Sequence, residues 1–124
     1  VMQHLGVDGY VELTRATLES ADRMRAGIAG IDGVRVLGDG TYHLVAMASD
    51  PEADHPVDVF AVGDALRARG WFHDRQGPPD SLHSTVSGTN TGVIDDYLED
   101  LAACVEEVRG TSAEDRSTNY ATLE

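Results

Sequence analysis

The chain has 124 residues, with 22 acidic side chains against nine basic ones and a formal net charge of -13. That length suits one domain with a real core, and the charge excludes nucleic acid and anionic membrane surfaces as natural partners, since both are recognised mainly through Lys and Arg. All nine basic residues are arginine, so chemistry that needs a lysine amine is closed to this chain acting alone.

From Asp8 to about Ala29, the apolar residues Tyr10, Leu13, Leu18, Ala21, Met24 and Ile28 recur mostly at three- and four-residue intervals among charged ones. This predicts an amphipathic helix with Asp8 as N-cap and Gly30 or Gly33 at its end. VRVLG (34–38) and YHLVAMAS (42–49), separated by DGT, predict two strands joined by a tight turn. The second is apolar on both faces and belongs in the sheet interior. DPEADHP (50–56) reads as a loop, and Val59, Val62 and Leu66 mark a helix over Asp58–Arg69 that stops at Gly70. WFHDRQ (71–76) is a predicted strand, GPPD (77–80) a turn and LHSTVS (82–87) a further strand. In that last strand Leu82, Ser84 and Val86 share one face, while His83, Thr85 and Ser87 share the other. A final helix over Gly92–Arg109 buries Ile94, Leu98, Leu101, Val105 and Val108, and TSAEDRSTNYATLE after Gly110 has no period.

The resulting order, α-β-β-α-β-β-α, predicts an α+β fold: a mostly antiparallel four-stranded sheet with helices on one face. Residues 1–110 form the expected domain, and 111–124 a polar tail that is flexible or docked on something outside the domain. The second sheet face must be solvated or covered by a partner.

Most constellations with chemical potential have bland readings. Asp50, Glu52, Asp54 and Asp58 resemble a calcium loop, but His55 stands where the turn glycine belongs and Ala61 where the closing glutamate belongs. The five histidines, His4, His43, His55, His73 and His83, have neither zinc spacing nor cysteine partners, so no metal site is expected. Ser84, His73 and Asp74 make a triad only on paper, without a nucleophile elbow. Cys104, the single cysteine, sits among residues of helical pattern and reads as buried and inert. No apolar run approaches the roughly 20 residues of a membrane span, and VMQHLGVDGY has no signal-like block, so a cytoplasmic protein is expected. The His83 and Thr85 face remains, and residue pattern alone favours a merely wet sheet face over a functional one.

Three stretches in order, HLGVDGYVELTRATLESADRMRAGIAGIDGVRVLGD, DVFAVGDALRARGWF and SLHSTVSGTNTGVIDDYLEDL, carry a resemblance over about residues 3–109. They resemble the C-terminal small domain of pyridoxal-phosphate-dependent group II decarboxylase family enzymes, of the aspartate aminotransferase fold (fold type I), nearest the sphingosine phosphate lyase branch. The resemblance implies a lyase or decarboxylase acting on a small-molecule amine, a homodimer in the intact enzyme, and a large domain holding the cofactor. It implies no catalytic and no cofactor-binding residue in this chain, which on that reading is a fragment without activity or bound pyridoxal phosphate. It places His83 and Thr85 at the substrate mouth, with His83 where the amino-acid decarboxylases tend to carry a carboxylate-binding arginine. The alternative is a free-standing binding or regulatory module that dimerises through its open sheet face.

Overall fold

A computed structural model describes residues 2–38, 44–86, 91–118 and 120–121, with backbone alone for 2–13, 91, 120 and 121. The elements are α1 (Met2–Ala29), β1 (Val34–Leu37), β2 (Leu44–Ser49), α2 (Val59–Ala68), β3 (Asp74–Gly77), β4 (Ser81–Thr85), α3 (Thr91–Glu107) and β5 (Tyr120–Ala121). They form the expected α+β arrangement, with the strands in the order β1-β2-β4-β3-β5. β1 to β4 are antiparallel throughout, and β5 joins β3 in parallel.

Three details differ from the sequence expectation. Helix α1 begins at Met2, so Asp8 lies inside it and is no N-cap. Strand β3 begins at Asp74 rather than at residue 71, because Trp71 turns to the helices: its ring meets Tyr97 edge-on with centroids 5.2 Å apart, and its Nε1 donates to Asp100 at 2.8 Å. A fifth strand completes the sheet, drawn from the segment that has no period. The DGT turn and Ser87 lie outside the described residues.

Cross-strand register sorts the side chains. Val36 faces Met47, Met47 faces Leu82, and Val45 faces Ser84, so these lie on one side of the sheet. That side meets Ala21, Met24 and Ile28 of α1, Val59, Val62 and Leu66 of α2, and Leu101, Cys104 and Val105 of α3 in one core. Burial of each large apolar side chain contributes about 1.5–3 kcal/mol before conformational entropy is set against it. Tyr97 and Cys104 belong to this core, and Leu98, expected there, is only partly buried.

Helix α2 is fixed at its start from two directions. Asp58, with extended backbone (φ -77, ψ 113), accepts from the Phe60 amide at 3.1 Å, and Ser49 Oγ of β2 accepts from the Val59 amide at 3.0 Å. Its interior approaches β4 closely at Gly63, where an added Cβ would stand 3.0 Å from Leu82 Cδ2 and 3.3 Å from Cδ1. Leu82 is 1% exposed and cannot yield. Gly63→Ala is therefore expected to lower stability by about 1 kcal/mol, overpacking of about 1–3 kcal/mol outweighing a helix-propensity gain of about 1. A urea midpoint equal to or above that of the parent chain would refute this tight approach.

Residues 111–118 lie against α2 and the β3–β4 hairpin. Arg116 donates to Asp58 at 2.6 and 3.1 Å and to Asp80 at 2.5 Å, while the Ala113 amide donates to Asp58 at 2.9 Å. Arg75 of β3 reaches Asp64, and its Nη1 donates to the Asp115 carbonyl at 2.9 Å. The guanidinium carbons of Arg75 and Arg116 stand 4.9 and 5.0 Å from the centroid of the fully buried Phe60 ring.

Candidate functional site

The open face of the sheet presents the row that sequence alternation assigns to it. In β4, His83 pairs with Ala46 of β2 on one side and Asp74 of β3 on the other, and Thr85 pairs with Leu44. Phe72, His73, Asp74, His83, Ser84 and Thr85 line an open depression of about 300 Å³ beside this row, with Ser84 contributing there from a strand position whose side chain belongs to the helix side. Phe72 is 72% exposed at its rim, with the Arg67 guanidinium stacked 5.7 Å from its ring centroid. Leu44, at 56% exposure, adds apolar surface beside Thr85.

His83 is half-buried, and burial lowers its pKa from 6.5, with Asp74 opposing. Its Nε2 lies 2.9 Å from Ser81 Oγ. Ser81 and Asp74 thus join the site, neither of them singled out for it by sequence. Ser81 could have been found two residues before His83 on the same face, whereas Asp74 enters only through the strand register.

His73 has a different duty. Its Nε2 is 2.7 Å from the Tyr97 hydroxyl, and its Nδ1 is sealed from solvent without a partner among the described residues. Burial pushes its pKa down to about 4, with Asp74 opposing, and burial raises that of Tyr97. Both side chains are neutral at pH 7, and the triad on paper is not assembled: His73 bonds Tyr97, and Ser84 lies on the helix side of β4.

The acidic loop also has structural work. Asp50 accepts from the Glu52 amide at 3.0 Å, His55 Nδ1 lies 2.8 Å from Asp32, and Asp58 caps α2. No group of three metal-ligating side chains occurs among the described residues, and no described helix is long and apolar enough to cross a membrane. With no lysine anywhere in the sequence, this segment alone has no amine for the aldehyde of pyridoxal phosphate. That cofactor's site does not lie in these residues.

No protein-family model matches the chain. It is 33% identical over 108 residues to the sphingosine-1-phosphate lyase of Oryza sativa subsp. japonica, covering 87% of this chain and 19% of that protein. It is 31% identical to the Arabidopsis thaliana sphingosine-1-phosphate lyase over the same share. The chain spans about a fifth of the length of these curated relatives. Among solved structures, the sphingosine-1-phosphate lyase of Burkholderia pseudomallei K96243 matches with a TM-score of 0.77 and 35% identity, over 87% of this chain and 24% of that one. The glutamate decarboxylase of Lactobacillus brevis CGMCC 1306 matches with a TM-score of 0.77 at 18% identity, over 86% of this chain and 26% of that one, a likeness of fold. Over about 87% of its length, this chain is a homologue of one segment of the sphingosine-1-phosphate lyases, consistent with a C-terminal domain of the pyridoxal-phosphate group II decarboxylase kind.

Proposed function

We propose that the chain is the C-terminal small domain of a pyridoxal-phosphate-dependent carbon–carbon lyase acting on a phosphorylated amino alcohol, its open sheet face turned to a larger cofactor-holding part. The observation that carries this reading is the 35% identity joined to a TM-score of 0.77 with a sphingosine-1-phosphate lyase over 87% of the chain. The cofactor supplies an electron sink for the bond that breaks beside the amine. This chain supplies a wall: Phe72 excludes water at the rim, and His83 and Thr85 offer polar atoms at the mouth.

Two measurements test the reading. The 124-residue chain, given pyridoxal phosphate and a phosphorylated amino alcohol, is expected to show no turnover and no absorbance band beyond that of the free cofactor. In the longer protein carrying this segment, His83→Ala is expected to lower kcat/KM about tenfold, the worth of one hydrogen bond to a charged group. Unaltered turnover and affinity would remove His83 from the mouth. The exposed Leu44 on the same face also suits a second copy of the chain, the free-standing module. A reading frame that opens just before Val1, together with a stable dimer in sedimentation, would favour that module over the lyase domain.

A further inference from the structure

Ser81 is only 2% exposed, although it stands on the open face of the sheet, two residues before His83. Its Oγ has two neighbours, the Gln76 carbonyl oxygen at 3.3 Å and His83 Nε2 at 2.9 Å. A carbonyl oxygen only accepts, and a hydroxyl has one hydrogen to give. Both contacts are therefore hydrogen bonds in a single arrangement, with Ser81 donating to Gln76 and Nε2–H of His83 donating to Ser81. The other tautomer would take the Ser81 hydrogen and leave the Gln76 carbonyl without that donor.

In this arrangement Nδ1 of His83 keeps its lone pair. It has no partner among the described residues and, unlike Nδ1 of His73, is not sealed from solvent. Burial favours the neutral ring at pH 7. Directly across the strand pair stands the carboxylate of Asp74, exposed, with its register partner His83 beside it. The residues lining the depression include no Arg, and Arg67 is stacked on Phe72 at its rim. The depression thus offers two adjacent acceptors, a neutral imidazole nitrogen and a carboxylate, with the Thr85 hydroxyl able to act either way.

We propose that Ser81 is a positioning residue that fixes His83 as a hydrogen-bond acceptor, so that His83 and Asp74 hold a donor group of the substrate, its protonated amine or a hydroxyl, and do not themselves hold a carboxylate or its phosphate. The proposal deepens the reading of His83 as a mouth residue and rests on it for its catalytic meaning. It inverts the polarity that an arginine would give the same position, since a guanidinium only donates.

The test is ¹⁵N nuclear magnetic resonance of the 124-residue chain at pH 7.5. Long-range proton–nitrogen correlations are expected to show His83 with a protonated Nε2 and an unprotonated Nδ1, the favoured tautomer exceeding the other at least about fivefold. Ser81→Ala is expected to mix the tautomers, and Ser81→Thr, which keeps the hydroxyl, to restore the preference. Ethanolamine is expected to move the Nδ1 resonance saturably in the parent chain, and acetate and inorganic phosphate to leave it in place. Protonated Nδ1 in the parent chain, an unchanged tautomer in Ser81→Ala, or a saturable shift with acetate or phosphate would each overturn the proposal. The parent-chain measurement stands even if Ser81→Ala fails to fold. If these results hold while His83→Ala leaves turnover of the longer protein intact, the mouth assignment fails and the acceptor geometry survives.

Discussion

Asp58→Ala is expected to cost the domain roughly 2–4 kcal/mol, the sum of a lost helix cap and lost charge-assisted hydrogen bonds. The carboxylate, with its side chain only 13% exposed, joins three parts of the fold that are far apart in sequence. It caps α2 through the Phe60 amide, holds the Ala113 amide and binds Arg116, which also reaches Asp80. Burial alone would raise its pKa, but the Arg116 guanidinium and the two amides outweigh this and hold it below 3.8. Its contribution is therefore complete above about pH 4 and disappears as pH falls through the lower folded-state value. Urea denaturation of Asp58→Ala, Arg116→Ala and the double variant checks the account. Additive losses would show that the pair is not coupled and that the two amide hydrogen bonds, the cap and that to Ala113, explain the cost.

A second large effect is expected from mild acid. His73 is pushed from 6.5 to about 4 by burial, so the unfolded chain takes up a proton in a range where the folded chain does not. The associated stability is complete above about pH 6.5 and is lost as pH falls towards 4, reaching about 3 kcal/mol in full. His83, also lowered by burial, acts in the same direction. The lowered carboxyl groups Asp32, Asp58, Glu106 and Asp115 titrate below their ordinary values of 3.8 to 4.5, so their losses come later. His73→Phe should flatten most of the slope between pH 6.5 and 4.5, while costing about 1 kcal/mol at pH 7 through the Tyr97 hydroxyl left without its partner. Parallel pH profiles of urea midpoint for the parent and the variant would show that His73 is not the group responsible.

Local signals were sufficient for much of this fold. Val59, Val62 and Leu66 lie on the buried side of α2, and Gly70, with φ +94, stands just beyond its Arg69 cap. The alternation in LHSTV places Leu82 and His83 on opposite faces because a strand has period two. What could not be read locally depends on tertiary partners. Trp71 and Phe72 look like strand residues by composition, yet Trp71 is held by Tyr97 and Asp100 of α3. The two residues of β5 are too few to carry a period, and their pairing with β3 accompanies ion pairs that no pattern announces. At the candidate site the same division holds. His83 and Thr85 follow from alternation, but Asp74 joins them through register, and the Ser81 contact that would orient the ring depends on a third residue, Gln76.

The bond from Arg116 to Asp58 spans 58 positions, and that from Arg116 to Asp80 spans 36. Synthesis runs from the N-terminus, so β1 to β4 and helices α1 to α3 emerge before this arginine does. Until it arrives, Asp58 caps α2 as a partly buried anion without its counter-ion, and Phe60 lacks one of the two guanidinium groups over its ring. A nascent chain halted short of residue 116 would hold nearly all of the apolar core and yet lack the ion pairs that lock the start of α2. The domain thus acquires an increment of stability only after its apolar core has been synthesised, from one of its most hydrophilic stretches.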